Sequence, residues 1–155
     1  MKGEGLKSEN PHIRAASLAD AEALASCIDA AYAKYAIRIS DMPPVSDGIA
    51  EEITNNQVWV VVEDGEIIAG LFLVPKDGFM KLANLAVHPN HGGKGIGRKL
   101  IELSESEARR QRYDEMRLNT HVDMPENVQL YQHLGWIEIS QRENTVSMTK
   151  RLRNA

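Results

Sequence analysis

The spacing of apolar residues divides the chain into short stretches with strand character and longer stretches with helical character. Two β-branched runs, at 57–63 and 66–74, are joined by Asp64-Gly65, which is a hairpin signal. Further strands are predicted at 12–15, 79–87, 115–121, 137–139 and 145–150. Helices are predicted where apolar residues recur every three or four positions: one opening after Ser17, and others at 46–55, 93–111 and 125–134. Strands interleaved with helices indicate an α/β or α+β sandwich with a central mixed sheet.

A glycine-rich segment follows the strand predicted at 79–87. Four glycines fall within six residues, at 92, 93, 95 and 97, and an amphipathic helix follows them. The first turn of a helix has unpaired N–H groups and carries the positive end of the helix dipole, and glycine lets the backbone approach an anion closely. The order of strand, glycine turn and helix therefore predicts a site for a phosphorylated cofactor.

The spacing of these glycines excludes two common phosphate-binding motifs. A P-loop requires Ser or Thr after its Gly-Lys pair, but Gly93-Lys94 is followed by Gly95. A dinucleotide-binding fingerprint requires a third glycine where Leu100 stands, and no acidic residue occupies a convincing second-strand position about 20 residues further on. A nucleotide-binding domain is therefore disfavoured.

The glycine turn instead resembles motif A of the GNAT superfamily of N-acetyltransferases, which reads Gln/Arg-x-x-Gly-x-Gly/Ala. Gly95 and Gly97 match its two glycines, and Gly93 and Lys94 fill its variable positions. Gly92 stands where the motif has Gln or Arg. A side-chain contact from that position to a pyrophosphate would therefore be absent.

A second block, at 127–136, resembles motif B of the same superfamily, the Leu-Tyr-x-x-x-Gly-Phe segment, with Trp136 in place of Phe. The tetrapeptide Met124-Pro125-Glu126-Asn127 looks like the Met-x-Glu-Asn variant of many bacterial members. Met124 occupies the place of the motif's usual Asn, and Asn127 is expected to serve the cofactor instead. The order and separation of the two motifs match the superfamily over 12–150.

The resemblance implies the GNAT fold, a central, mixed, mostly antiparallel twisted sheet of about six to seven strands flanked by about four helices. It also implies acetyl-CoA as co-substrate, without a metal. Leu85, Ala86 and Val87 would run along the pantetheine arm. The implied cofactor-binding residues are Leu85, Ala86, Val87, Gly92, Gly93, Lys94, Gly95, Ile96, Gly97, Arg98 and Asn127.

Acetyl transfer requires a donor for the oxyanion and an acid for the leaving thiolate. A backbone N–H at the end of the strand before the turn is expected to stabilise the oxyanion. By resemblance, the general acid is Tyr131, because a phenol with a pKa near 10 can protonate a thiolate whose conjugate thiol has a pKa near 8.5. A helix tyrosine that packs one edge into the core is the alternative interpretation of Tyr131.

The general base is not evident in the sequence. Lys81 and Asn119 occupy the two positions where relatives carry Glu. His121, at the predicted end of a strand, could accept the proton of the amine directly or through water, but a solvent-facing histidine is the simpler interpretation.

Composition limits the class of protein. The 155 residues, 43% of them hydrophobic, predict one domain, placed at 11–155 after a flexible leader at 1–10. A net charge of −4 argues against a nucleic-acid partner. No apolar segment reaches the length of a membrane span, and no signal peptide is evident. The single cysteine, Cys27, fits a reducing compartment and is expected to be buried, so a cytoplasmic location is predicted.

No metal site is predicted from the five histidines. Only His88 and His91 lie close together, and they lack a third ligand at a recognised spacing. The predicted function is transfer of an acetyl group from acetyl-CoA to a primary amine, on a small molecule or a protein, by direct transfer in a ternary complex. A non-catalytic acyl-CoA-binding or regulatory module on the same fold is the alternative, and a homodimer stays open.

Overall fold

The computed structural model describes residues 11–38 and 48–152. The leader predicted at 1–10 and the start of the helix predicted at 46–55 lie outside these ranges. The strands are β1 (His12–Ala15), β2 (Gln57–Glu63), β3 (Glu66–Pro75), β4 (Met80–Val87), β5 (Glu115–His121), β6 (Ile137–Arg142) and β7 (Thr145–Arg151). The helices are α1 (Ala21–Arg38), α2 (Ile49–Asn55), α3 (Ile96–Arg110) and α4 (Pro125–His133).

The seven strands form one sheet in the order β1-β2-β3-β4-β5-β7-β6. Every neighbouring pair is antiparallel except β4 and β5, which run parallel because α3 crosses over between them. The predicted mixed, mostly antiparallel sheet with four helices is therefore confirmed.

Two hydrophobic cores lie on opposite faces of the sheet. Successive side chains of a strand point to opposite faces, and in β2 Val61 packs into one core while Val60 and Val62 pack into the other. The first core contains the apolar faces of α3 and α4, and the second contains those of α1 and α2. The sheet is thus covered by two helices on each face.

Gly70 in β3 allows α1 to pack close to the sheet. A Cβ added at this glycine would lie 2.6 Å from Leu24 Cδ1, which is closer than real Cβ atoms approach. Leu24 is fully buried at this contact. Cys27, on the same helix, is buried as predicted, and burial raises the pKa of its thiol to about 11.

Element boundaries differ from the sequence predictions mainly at glycines and on exposed strands. The helix predicted from residue 93 begins at Ile96, because Gly93 and Gly95 adopt φ of +80° and +77°, which is outside helical geometry. Strand β6 extends to Arg142 rather than residue 139, since pairing with β7 continues it beyond its apolar part.

Strands β4 and β5 diverge soon after they meet. Their register contains only two pairs, Met80 with Met116 and Lys81 with Arg117, although β4 continues to Val87 and β5 to His121. A β-bulge occurs in β4 at the same place, since Leu82 and Asn84 oppose consecutive residues of β3 and leave Ala83 as the extra residue. The divergence opens a cleft in the middle of the sheet.

Candidate active site

A cavity of about 300 Å³ lies where β4 and β5 separate. Its walls come from the two strands, from α1 and from α4. The lining residues are Tyr32, Leu82, Ala83, Asn84, Leu85, Leu118, Asn119, Thr120, His121, Met124, Asn127, Tyr131 and Thr145. Three residues predicted from sequence, Leu85, Asn127 and Tyr131, are therefore brought together here, along with His121.

Tyr131 is buried, with 8% of its surface exposed, and its ring packs edge-on against Trp136 at 5.5 Å between centroids. None of the hydrogen bonds found among the described residues involves its hydroxyl. Burial raises the pKa of Tyr131 above its ordinary value of 10.0, and the nearby Tyr32 raises it further. The Tyr131 phenol in the wall of the cavity is thus a protonated donor without a partner among the residues that the structure describes.

The sequence predicts that Leu130 and Leu134 lie on the core side of α4, and for Leu130 this prediction is wrong. Leu130 is 37% exposed and Leu134 is half-buried, whereas Tyr131 is the buried residue of the helix. Helix α4 has only nine residues, so its orientation is set by its packing against β5 and β6 rather than by its own apolar pattern.

A second tyrosine shares the cavity and was missed as a functional candidate. The Tyr32 hydroxyl donates to Asn84 Oδ1 at 3.0 Å, and burial raises the pKa of Tyr32 to about 12. In the sequence Tyr32 only continues the apolar face of α1. No sequence signal relates it to Asn84, because the two residues are 52 positions apart.

The glycine turn presents free backbone donors beside the end of β4. His88 Nδ1 accepts the N–H of Asn90 at 3.1 Å and caps a short 3₁₀ turn, after which the chain reverses through Gly93 and Gly95. The bond from Lys99 N–H to Gly95 O, at 3.1 Å, closes the first turn of α3. No backbone hydrogen bond from the N–H of Gly93, Lys94 or Gly95 is found within the described residues.

The turn and the cleft are linked through β4. A Cβ at Gly97 would lie 3.9 Å from side-chain atoms of both Leu85 and Val87, so the first turn of α3 rests directly on the strand. Leu85 lines the cavity, while Ala86 faces the other core and is buried there. A ligand that reached from the turn into the cavity would therefore pass along these three strand residues.

Polar side chains of the turn have partners in the protein. Lys94 Nζ lies 3.3 Å from Glu63 Oε1 and 2.9 Å from His91 Nδ1. The exposed Arg98 pairs with Glu102, one turn further along α3, at 3.5 Å. The backbone of the turn, rather than the Lys94 ammonium, is thus the part left free for an anion.

Asn127 and His121 both line the cavity. Asn127 Nδ2 donates to the Met124 sulfur at 3.5 Å. His121 Nδ1 accepts the backbone N–H of Asp123 at 3.0 Å, which places the proton of a neutral imidazole on Nε2. The nitrogen of His121 that could accept a proton is therefore already engaged in this structure.

Within residues 11–38 and 48–152, no group of three or more His, Cys, Asp or Glu side chains is arranged to hold a metal ion. No helix in the described part of the chain is long and apolar enough to cross a membrane.

A sheet split between β4 and β5, with a glycine turn at the end of β4, is the arrangement expected of an acyl-CoA-dependent N-acyltransferase. The chain belongs to the acetyltransferase (GNAT) domain family, whose model matches residues 54–138. It is 27% identical to the uncharacterized N-acetyltransferase YjgM of Escherichia coli, over 84% of each chain. It is 30% identical to S-(2-succino)cysteine N-acetyltransferase of Bacillus subtilis, over 93% of this chain and 98% of the relative.

The fold is shared with solved structures as well. The PaiA N-acetyltransferase of Thermoplasma acidophilum, crystallised with coenzyme A, superposes with a TM-score of 0.84 at 18% identity, over 92% of this chain and 99% of that one. Family membership and the relatives identify this chain as an enzyme, an acyl-CoA-dependent N-acyltransferase.

Proposed function

We propose that the protein transfers the acetyl group of acetyl-CoA to a primary amine of a small acceptor, by direct attack in a ternary complex. The observation that carries the proposal is the protonated Tyr131 hydroxyl, which lines the cavity between the parted strands and has no hydrogen-bond partner within residues 11–38 and 48–152. A general acid at that point can protonate coenzyme A as it leaves.

The cofactor is expected to bind along β4 and the glycine turn. The unpaired N–H groups from Gly93 to Arg98 and the N-terminus of α3 favour a pyrophosphate. The backbone of Leu85, Ala86 and Val87, where β4 has no neighbouring strand on the β5 side, can pair with the amides of the pantetheine arm. Gly92, without a side chain, contributes only its backbone.

The chemistry of the acid follows from burial. The pKa of Tyr131 exceeds that of a thiol in water, so proton transfer to a fully solvated thiolate would be unfavourable. Inside the cavity the thiolate loses its hydration as well, which raises the pKa of its conjugate thiol by the same mechanism. The two groups are thereby brought closer in acidity, and the proton can move to sulfur as the C–S bond breaks.

The amine must lose a proton before or during attack. Because His121 Nδ1 accepts the Asp123 N–H, we propose that His121 shapes the mouth of the cavity rather than serving as the base. The proton then passes to water at the open side of the cleft. The acceptor is expected to be a small amine, since the Bacillus subtilis relative is named for an amino acid conjugate.

The proposal is tested with acetyl-CoA and a panel of amino acids, polyamines, aminoglycoside drugs and peptides, with coenzyme A release followed by a thiol reagent. Acetylated product should form with at least one small amine, should persist in EDTA, and should not be inhibited by ATP or NAD at comparable concentration. Tight binding of acetyl-CoA by calorimetry without acetylation of any panel member would refute the small-amine assignment.

A further inference from the structure

A positively charged groove of about 360 Å³ lies next to the cavity. We call it the basic groove, and its walls include Lys76, Phe79, Lys81, Arg117, Leu118 and Asn119. Arg117 and Asn119 alternate along β5 with the buried Met116 and Leu118, so their side chains lie on the opposite face from the α3 core.

Two cations of the basic groove stand side by side. Lys81 and Arg117 are direct partners in the last pair of the β4–β5 register, immediately before the strands diverge. Like charges directly opposite each other on neighbouring strands are destabilising. A negatively charged group bound between them would remove that repulsion.

The carboxylates near the groove leave this charge incompletely balanced. Glu115 contacts Arg117 Nε at 2.8 Å and Nη2 at 3.5 Å, but no described residue pairs with Nη1. Within residues 11–38 and 48–152, no carboxylate lies within 4.0 Å of the ammonium of Lys76 or Lys81. The groove is therefore a local positive site on a chain whose net charge is −4.

The guanidinium of Arg117 is also held in place. It lies 4.4 Å from the centroid of the Phe79 ring, at stacking distance, while Glu115 is held by the Thr149 hydroxyl at 2.7 Å. A planar cation fixed in this way keeps its outer N–H groups available in one orientation, which suits a carboxylate.

The groove and the cavity adjoin each other, because they share two lining residues. Leu118 and Asn119 line both. At about 3.3 Å per residue, Asn119 lies about 7 Å along β5 from Arg117, and His121 lies about 13 Å from it. The separation of the two sites along β5 is therefore within the length of a small molecule.

We infer that the basic groove binds a carboxylate of the acceptor, so that the substrate class is a primary amine bearing a carboxylate several bonds away from the reacting nitrogen. This inference rests on the proposed acetylation of small amines. Lys81 and Arg117 bind the carboxylate, and the amine at the other end enters the cavity beside Tyr131.

The test compares 6-aminohexanoate with 6-aminohexanamide, which have nearly the same length but differ in charge. The wild-type enzyme should show a KM at least about tenfold lower for the carboxylate, the size of effect that one charged hydrogen bond supplies. Lys81→Gln and Arg117→Gln should each remove about tenfold of that preference through KM, with kcat and the KM for the amide changing less than about twofold. Arg112→Gln, which removes an equal charge from an exposed site at the end of α3, should behave as wild type.

Equal KM values for the two acceptors in the wild type, or equal losses on both acceptors in the variants, would overturn the inference. Calorimetric titration of each acceptor into the enzyme–coenzyme A complex gives a readout that does not need turnover. If neither acceptor nor any other small amine is acetylated, the proposed function fails. In that case the calorimetric titrations alone test the basic groove. If 6-aminohexanoate binds no more tightly than 6-aminohexanamide, the inference about the groove is refuted.

Discussion

Replacing Tyr131 with phenylalanine should lower kcat by about 10²–10⁴-fold, which is the usual contribution of a general acid. The substitution removes one oxygen and leaves the ring. The edge-on contact with Trp136 at 5.5 Å is therefore retained, and the walls of the cavity stay in place. Affinity for acetyl-CoA should remain near that of the wild type, because the expected cofactor contacts are to the turn and to β4.

The structure also specifies the effect of this substitution on stability. The Tyr131 hydroxyl faces the cavity and has no hydrogen-bond partner among the described residues. Its removal should therefore change the free energy of unfolding by less than about 1 kcal/mol, the size of one typical hydrogen bond. A tyrosine with a purely structural role would show a loss of stability and little change in turnover.

The measurement is thermal melting, the Kd for acetyl-CoA and kcat on one preparation of each protein. Tyr113→Phe is the matched control, because Tyr113 packs against the first core, which contains α3 and α4, and does not line the cavity. Tyr32→Phe tests the rival phenol, whose hydroxyl is already donated to Asn84. A fall in kcat of less than about threefold for Tyr131→Phe refutes the assignment. A large fall confined to Tyr32→Phe would transfer the role to that residue.

Three further predictions concern the glycine turn, the role of His121 and the pH dependence of stability. Gly97→Ala has room for its Cβ at ordinary contact distance and should fold normally, so a weaker Kd for acetyl-CoA would report crowding of the cofactor. Gly92 has a φ of −67°, which an arginine can adopt, so Gly92→Arg should bind acetyl-CoA as well as or better than the wild type. His121→Asn preserves an acceptor for the Asp123 N–H and should retain kcat within about threefold. A larger loss of kcat together with a shifted pH profile would show that His121 is the general base. Hydrogen bonds from Arg14 lower the pKa of Asp20 from 3.8 to about 2, so this pair should stabilise the fold above pH 4 and lose its effect as pH falls from 4 to 2. Because Arg14 is 43% exposed, the effect is about 1 kcal/mol, and the difference in unfolding free energy between wild type and Asp20→Asn should vanish at low pH.

Predictions that depend on neighbouring residues agreed well with the structure. The bounds of β1, β2 and β5 were predicted to the residue, because alternation and β-branching act over a few positions. The glycine turn was located correctly for the same reason, since positive φ at Gly93 and Gly95 is a local property of glycine. The roles of the turn and of Tyr131 in catalysis stay predictions that the proposed experiments decide.

Features that depend on distant residues could not be read from periodicity. The buried face of α4 was mispredicted at Leu130, since a helix of nine residues is oriented by the strands it packs against. The bond between Tyr32 and Asn84 joins residues 52 positions apart. The pairing of Lys81 with Arg117 exists only because the crossover through α3 places β5 beside β4.

The sequence by itself determined the class of the protein. The two motifs, at 92–97 and 127–136, and the order of strands and helices each depend on residues that are close together along the chain. The tertiary structure decided what the site contains. Strand order, the bulge at Ala83 and the divergence of β4 from β5 bring together side chains that no local pattern relates, and burial raises the pKa of Tyr32 and Tyr131. The free energy of such contacts depends on distance in space, and the number of intervening residues does not reveal that distance.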